Sequence, residues 1–258
     1  MTVLARADRR LVLRLALGLA AAVVLGVPFL LLALLVRDSW SPLIRLDTSV
    51  AERMHAIALD QHWLVTLLKA ISDVFDPITF RVVTTALAVL LFWRGRRRLA
   101  IWTLVTIWGA ALLGVLLKVV VGRTRPDLVD AVATAPGRSF PSGHALTSTV
   151  GCAVLLLLVT PLLHRRWRVV AIAAAILIPL VVAFARVGLG VHYLSDVVAG
   201  ELLGLGWVVL TAAAFEAWRR DVGLPPSPPT EAEPELGDNV PEPSGGRASP
   251  EARRASGE

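Results

Sequence analysis

The chain has 258 residues, of which 55% are hydrophobic and 18% charged, and its mean hydropathy is +0.68. A soluble globular domain carries about 25% charged residues, so this composition argues against a soluble cytosolic protein. Residues 1–220 hold twenty-three basic and twelve acidic residues, and this basic surplus among long apolar runs indicates a lipid bilayer, not nucleic acid, as the partner.

Six apolar segments approach the length of about 20 residues that a bilayer-spanning helix needs. They predict an all-α integral membrane bundle with spans at residues 11–36, 77–93, 99–121, 144–163, 168–187 and 193–218. The apolar core of the first segment is longer than the roughly 7–15 residues of a signal peptide, and no small-residue cleavage site follows it. We therefore expect this segment to be retained as a span.

Arginine clusters predict the orientation of the bundle. They lie before and at the start of the first segment, between the second and third segments, between the fourth and fifth, and after the sixth. In a six-span chain these positions share one side, which the positive-inside rule makes cytoplasmic. Both termini are then cytoplasmic, and the connections 37–76, 122–143 and 188–192 are extracytoplasmic. The arginines concerned are Arg6, Arg9, Arg10, Arg14, Arg94, Arg96, Arg97, Arg98, Arg165, Arg166, Arg168, Arg219 and Arg220.

The first connection and the C-terminal segment differ in pattern. Apolar residues recur at helical spacing between residues 50 and 71, which predicts one or two amphipathic helices in the outer membrane interface. A packed lid helix without lipid contact is the alternative. Asp76 and Pro77 are typical of an N-cap and a first-turn proline that open the second span. Residues 221–258 are rich in Pro and Glu and predict a disordered cytoplasmic tail, which leaves residues 1–220 as one six-span membrane domain.

Ionisable residues within or at the ends of spans are costly and by default indicate function. Here they gather at the predicted extracytoplasmic ends. Three cations in one partly dehydrated mouth require an anion, and phosphate offers several acceptor oxygens. A Pro-Ser-Gly turn before the fourth span adds the free N–H groups of a helix N-terminus. The predicted phosphate-binding residues are Lys118, Arg125, Arg186, Ser142 and Gly143.

Two histidines and one carboxylate complete the predicted site. His192 and Asp196 are four residues apart, so the carboxylate can hold one imidazole nitrogen and leave the other as a nucleophile or base. His144 can protonate a leaving oxygen. Three cations repel a divalent ion, and Cys152 is the single cysteine. We therefore expect phosphoryl chemistry without a metal or another cofactor.

The same residues match a family pattern. Lys118-x6-Arg125-Pro126, then Pro141-Ser142-Gly143-His144, then Arg186-x5-His192-x3-Asp196 resembles the three-part motif of the type 2 phosphatidic acid phosphatases. Their superfamily includes bacterial lipid-phosphate phosphatases and vanadium haloperoxidases. The resemblance implies that His192 attacks phosphorus to form a phosphohistidine, that Asp196 orients His192, and that His144 protonates the departing oxygen and then activates water. It also implies a serine before the third-motif arginine, where this chain has Ala185.

The function expected from this resemblance is metal-independent hydrolysis of a membrane lipid phosphate or diphosphate at the extracytoplasmic face. Expected substrates are an isoprenoid diphosphate, which we slightly favour, or phosphatidic acid and related lipid monophosphates. Two alternatives stay open: a phosphotransferase that uses an acceptor other than water, and a non-enzymatic lipid-phosphate binder or transporter.

Other polar residues give weaker hypotheses. Arg81 and Glu201 lie inside the second and sixth spans, and we expect them to form a structural ion pair. Arg123 fits no motif position and is expected either to contact substrate or to face solvent. His55 and His62 have no evident partners and are interpreted as ordinary interface residues.

Overall fold

The computed structural model describes residues 2–221, and all regular structure in that range is helical, which confirms the all-α class. The predicted tail begins at Asp221 and otherwise lies outside the described residues. The helices are α1 (Thr2–Arg37), α2 (Ser41–Asp60), α3 (His62–Val74), α4 (Pro77–Trp93), α5 (Arg97–Val121), α6 (Gly143–Val159), α7 (Arg165–Gly188) and α8 (Leu194–Asp221), with a short 3₁₀ turn (Thr160–Leu162) after α6.

The helices overlie the six predicted spans. Five helical segments are long and apolar enough to cross a bilayer, and α1 with α2 forms a sixth if this pair, bent by 89°, is one span. Large apolar side chains on the outer faces of the bundle are exposed, among them Val82, Val119 and Leu177. So much exposed apolar surface is unusual for a soluble protein and is expected where helices face lipid.

Helix α6 forms the centre of the bundle. It packs against α4, α5, α7 and α8, and Leu146, Val150 and Val154 along its length are buried. They join one apolar cluster with residues of α5 and α8, including Ile107 and Phe215. Its N-terminus lies beside the starts of α4 and α8, since His144 contacts Asp76 and the Ser142 N–H donates to the Asp196 carbonyl oxygen.

Two glycines bring α8 unusually close to α6. A Cβ added at Gly200 would lie 2.7 Å from the carbonyl oxygen of Ser142, and one at Gly204 would lie 3.1 Å from the Cβ of Thr149. Small residues permit such close approach of membrane helices. The Ser142 N–H consequently donates to the Asp196 carbonyl oxygen at 2.9 Å, which ties the start of α6 to the start of α8.

Helices α2 and α3 fill the connection predicted to hold amphipathic helices. One face of α2 is buried at Asp47, Ala51, His55 and Ala58, and α3 packs on α7, where Leu68 lies against Gly188. One side of each helix therefore packs on protein, as a lid would. The placement of their other sides in the outer interface stays a prediction.

The start of α4 matches the predicted cap. Asp76 Oδ1 accepts a hydrogen bond from the Ile78 N–H at 2.7 Å, and Pro77 occupies the first turn. The side-chain oxygen satisfies one of the N–H groups that a helix start leaves without a partner. This confirms the prediction and fixes Asp76 at the same end of the bundle as the start of α6.

The predicted ion pair between Arg81 and Glu201 is wrong. No salt bridge among the described residues joins them. The Arg81 guanidinium instead lies 5.9 Å from the ring centroid of Trp108, and Glu201 Oε1 is buried without a hydrogen-bond partner. Helix α4 packs mainly on α5 and α6, whereas α8 packs mainly on α1 and α6, so similar depth did not place the two side chains together.

Candidate active site

The residues predicted to form the site come from five separate parts of the chain and meet at one end of the bundle. They are Lys118 in the last turn of α5, Arg125 in the connection that follows, His144 in the first turn of α6, Arg186 in the last turn of α7, and His192 just before α8. The charges of the three cations repel one another. His144 lies close enough to interact electrostatically with all three cations and with His192. The grouping predicted from the sequence is thus present, while the catalytic roles remain predictions.

His192 is buried and held on both sides of its ring. Its Nδ1 lies 3.4 Å from Asp196 Oδ2 and 3.3 Å from Ser139 Oγ. Its Nε2 lies 3.1 Å from Arg125 Nη1. A guanidinium only donates hydrogen bonds, so this contact requires Nε2 to be the acceptor and places the ring proton on Nδ1. The lone pair of Nε2 therefore points to the side of the cations.

The neutral form of His192 is favoured by its surroundings. Burial lowers the pKa of His192 to about 4, with Arg125 and Arg186 acting in the same direction, while the hydrogen bond and charge of Asp196 oppose this. A charged imidazole loses its hydration in such a place. His192 is consequently an uncharged base at neutral pH.

Asp196 is fully buried and its carboxylate is saturated with donors. Oδ1 accepts from Arg123 Nη1 at 2.7 Å, and Oδ2 accepts from the Tyr193 N–H at 2.9 Å and from Ser139 Oγ. A buried carboxylate is stable only with such partners. Asp196 is thereby fixed in place beside His192.

The three predicted phosphate-binding cations have no carboxylate within salt-bridge distance among the side chains that the structure describes. The salt bridges found there involve neither Lys118 nor Arg125 nor Arg186. Lys118 Nζ donates to the Arg138 carbonyl at 2.7 Å, and Arg186 Nη1 donates to Ser72 Oγ at 2.5 Å.

Arg125 and Arg186 are partly removed from water without a carboxylate among the described side chains to pair with, which disfavours their charged forms. Arg125 donates to the carbonyls of Val191, Pro136 and Gly137 at 2.6–3.2 Å, and burial lowers its pKa. Arg186 is 8% exposed, and its Nε is buried without a hydrogen-bond partner. Carbonyl oxygens orient these cations but leave their net charge intact, which favours an anion in the space between them.

The N-terminus of α6 borders the same region. Ser142 is buried and caps the helix, with its Oγ 3.5 Å from the Ala145 N–H. A Cβ added at Gly143 would meet no heavy atom within 4 Å. The first N–H groups of a helix have no partner inside the helix, and the space beside Gly143 is open, which suits an anion at this end of α6.

His144 has a partner that the sequence did not indicate. Its Nε2 lies 3.4 Å from Asp76 Oδ2, and the two side chains are 17% and 37% exposed. The same carboxylate caps α4 through its other oxygen. Asp76 was predicted only as a cap, because its sequence context offers no sign of a long-range contact with α6.

Arg123 does not face solvent, which is one of its two expectations, and its contact with substrate stays a prediction. Its side chain is 9% exposed and lies between two carboxylates, with Nη2 2.7 Å from Asp47 Oδ2 and Nη1 2.7 Å from Asp196 Oδ1. Its guanidinium stacks 4.1 Å from the centroid of the Tyr193 ring. Arg123 therefore supports Asp196 and does not face solvent.

Other residues around the site were also missed. Ser139 and Asp47 lie in segments without a recognisable motif, so only the fold shows their contacts. His55 is buried and its Nε2 lies 2.6 Å from the Val129 carbonyl oxygen. His62 is exposed on α3, in agreement with its interpretation as an ordinary residue.

Comparison with known proteins places this site in a family. The sequence profile of the PAP2 superfamily matches residues 99–220, and the lipid A 1-diphosphate synthase of Escherichia coli is 30% identical over 172 residues, which are 58% of this chain and 68% of that protein. The chain belongs to the PAP2 superfamily. The resemblance inferred from the three motifs is thereby confirmed.

Other PAP2 relatives match over a smaller part of their length. The undecaprenyl-diphosphatase of Sulfolobus acidocaldarius is 34% identical over 136 residues, which cover 50% of this chain and 61% of that protein. The lipid A 1-phosphatase of Rhizobium johnstonii is 38% identical over 119 residues, covering 43% of this chain and 45% of that protein. The chain thus spans roughly half to three fifths of these two relatives.

A solved structure supports the membrane fold. The crystal structure of a transmembrane PAP2 type phosphatidylglycerolphosphate phosphatase from Bacillus subtilis aligns with a TM-score of 0.67 and 26% sequence identity, over 77% of this chain and 98% of that one. With the apolar helices described above, this similarity identifies the chain as a multi-pass membrane protein.

Proposed function

We propose that this PAP2 protein hydrolyses a phosphate from a membrane lipid phosphate or diphosphate, with His192 as the nucleophile. The observation that carries the proposal is the two-sided environment of His192. Asp196 and Ser139 hold Nδ1, while Nε2 meets Arg125 beside cations that form no salt bridge among the described side chains. A base held in one tautomer next to an anion-binding space is the arrangement that attack on phosphorus requires.

The proposed reaction has two steps. In the first, the lone pair of His192 Nε2 forms a bond to phosphorus, the bond from phosphorus to the lipid oxygen breaks, and protonated His144 gives that oxygen a proton. In the second, neutral His144 takes a proton from water as the water oxygen attacks phosphorus, and the nitrogen–phosphorus bond breaks. Inorganic phosphate leaves, and both histidines return to their starting states.

The cations and the start of α6 stabilise the charge of the transferring group. Lys118, Arg125 and Arg186 supply charged donors. The start of α6 supplies the Gly143 N–H, because the Ser142 N–H is already donated to the Asp196 carbonyl oxygen. These donors are already oriented by their contacts with protein carbonyls and Ser72. Groups that need no reorientation during the reaction stabilise a transition state most effectively.

The proposed substrate enters from the outer leaflet. The arginine clusters support an extracytoplasmic site, since they lie at the opposite ends of the spans from His144 and His192. A headgroup can then reach the site while its chains stay in the bilayer. The relatives support a lipid with a phosphate group, since their names include undecaprenyl-diphosphatase, lipid A 1-phosphatase and decaprenylphosphoryl-5-phosphoribose phosphatase. Among these we favour an isoprenoid diphosphate.

A second candidate is transfer of the phosphoryl group to an acceptor other than water. It is favoured by the Escherichia coli relative, which is named a lipid A 1-diphosphate synthase and is covered over 68% of its length. The first step is the same, but a second lipid headgroup then replaces water. Release of inorganic phosphate by the purified protein with no added acceptor would exclude this alternative.

The test is a phosphate-release assay on purified protein in detergent, with isoprenoid diphosphates, phosphatidic acid and other lipid monophosphates as substrates. His192→Ala should lose at least about 10⁴-fold in turnover because the nucleophile is gone. His62→Ala, an exposed histidine on α3, is the matched control and should retain full activity. Full activity in His192→Ala would refute hydrolysis through this residue.

Two further measurements test the mechanism. Denaturing the protein with alkaline detergent during turnover of a lipid with a radiolabelled phosphate should trap label on the protein that is stable in base and lost in acid, and His192→Ala should trap none. Activity should survive a chelator, because the proposed site stabilises charge with three cationic side chains. Loss of activity on chelation, restored by a divalent ion, would overturn the metal-independent mechanism.

A further inference from the structure

Helix α2 reaches the site through one buried side chain, Asp47. The side chain is 1% exposed, and its Oδ2 accepts from Arg123 Nη2 at 2.7 Å and from Ser195 Oγ at 2.5 Å. Its Oδ1 accepts from the Ser195 N–H at 3.0 Å. Asp47 is therefore fully paired, although it lies far in sequence from all three motifs.

Arg123 connects this carboxylate to the one beside His192. Its two terminal nitrogens bind different partners, Nη1 the Oδ1 of Asp196 and Nη2 the Oδ2 of Asp47, each at 2.7 Å. Ser195 closes the group, since it accepts from Arg123 Nη1 at 2.7 Å and donates to Asp47. One guanidinium between two carboxylates leaves a net negative charge near His192.

The division of Arg123 between two acids decides how Asp196 is used. A guanidinium beside a single carboxylate commonly binds both of its oxygens. Asp47 holds Nη2 elsewhere, so Arg123 takes only Oδ1 of Asp196. Oδ2 is then left to Ser139, to the Tyr193 N–H and to Nδ1 of His192.

We propose that Asp47 is a positioning residue for the reaction, which acts through Arg123 on Asp196 and His192. The inference rests on the function proposed above. Without Asp47, Arg123 is free to bind both oxygens of Asp196 and to draw Oδ2 away from His192. The remaining pair is also neutral, so the positive charge that develops on His192 during attack on phosphorus is less stabilised.

The test is Asp47→Asn, which keeps the size of the side chain but places an amide beside the donors of Arg123 and Ser195. We expect kcat to fall about 10–100-fold, the usual effect of misplacing a catalytic group slightly. KM should change less than about threefold, since Lys118, Arg125 and Arg186 bind the phosphate. Glu52→Gln, an exposed acid on the same helix, is the matched control and should keep full activity.

A double mutant separates positioning from a structural tie between α2 and α8. If Asp47 acts through Asp196, then Asp47→Asn should change the residual rate of Asp196→Asn by less than about twofold, because residues that act as one unit are not additive. If the two losses multiply, or if Asp47→Asn retains the wild-type kcat, the inference is wrong. Neither result would affect the proposed phosphatase activity.

A milder variant covers the case in which Asp47→Asn does not fold. Ser195→Ala removes one donor to Asp47 and one acceptor of Arg123, and it should lower kcat about 3–10-fold at unchanged KM. An unchanged kcat in Ser195→Ala would count against the inference. A wild-type protein that releases no phosphate from any lipid phosphate would instead refute the proposed function and this inference together.

Discussion

The two sides of the His192 ring differ in how their charges are paired. On the Nδ1 side, Arg123 bridges two buried carboxylates and every close charge has an opposite partner. On the Nε2 side, Lys118, Arg125 and Arg186 are oriented by carbonyls and hydroxyls, with no carboxylate in salt-bridge distance among the residues described. Under the proposed function, the paired side fixes the geometry of His192 and the unpaired side binds the phosphate.

The first prediction breaks the paired side. Arg123→Gln should lower the free energy of unfolding by about 3–5 kcal/mol, because it leaves two buried carboxylates without their shared cation. Thermal unfolding in detergent measures this. Arg94→Gln, an exposed arginine at the other end of the bundle, is the control. A melting temperature equal to wild type would show that the paired side does not hold the fold.

The second prediction breaks the unpaired side. Arg125→Gln should lower kcat/KM about 10²–10³-fold, as removal of one transition-state donor does. It should lower the melting temperature less than Arg123→Gln does, because relief of repulsion among the three cations offsets part of the lost hydrogen bonds to carbonyls. Activity and thermal unfolding measured on the same sample check both statements. A large loss of stability with little loss of activity would contradict the division between the two sides.

The third prediction uses the pKa of His192. Above about pH 6.5 the imidazole is neutral in both the folded and unfolded states and adds nothing to the pH dependence. As the pH falls from 6.5 towards the folded-state pKa of about 4, the unfolded state takes up a proton that the folded state does not, so stability is lost. The contribution should reach roughly 1–3 kcal/mol near pH 4.

The comparison for this prediction is His192→Asn. The variant cannot titrate at this position, so its melting temperature should fall less than that of the wild type between pH 7 and pH 4.5. Parallel curves for the two proteins would show that His192 has an ordinary pKa and that burial does not keep it neutral.

The fourth prediction tests the open space at the start of α6. Gly143→Ala adds a methyl group that meets no protein atom within 4 Å, so the melting temperature should not change. If phosphate occupies that space, KM should rise about tenfold, which corresponds to about 1.4 kcal/mol. An unchanged KM would place the phosphate away from this turn.

The sequence predicted most of the fold because hydropathy and charge are read directly from residue order. Span length predicts the six apolar segments, and N-cap preference predicts the Asp76 cap. The grouping of five distant segments follows from their positions at span ends on one side of a six-span chain. Ala185 stands where the family pattern has a serine, and it is fully buried beside Arg186. The hydroxyl that binds the Arg186 guanidinium in this chain belongs to Ser72 of α3.

The remaining contacts depend on rotation of helices and on the path of connections, which residue order does not encode. Arg81 and Glu201 share a depth in the bundle but face different neighbours, so their predicted ion pair does not form. Arg123 lies in a polar connection, where an arginine ordinarily faces solvent. Its burial depends on the contact with Asp47 of α2, which is distant in sequence. Ser139 lies in a connection with no periodic pattern, and only the fold places it against Asp196.

The close contact of α6 and α8 has a consequence for how the protein responds to its surroundings. At Gly200, backbone meets backbone with no side chain between, so the Ser142 turn and Asp196 form one stiff joint. A change in bilayer thickness that tilts the outer helices would carry this joint along as a block. The spacing between the Ser142 turn and Asp196 should therefore change less with lipid composition than the spacing between the outer helices does.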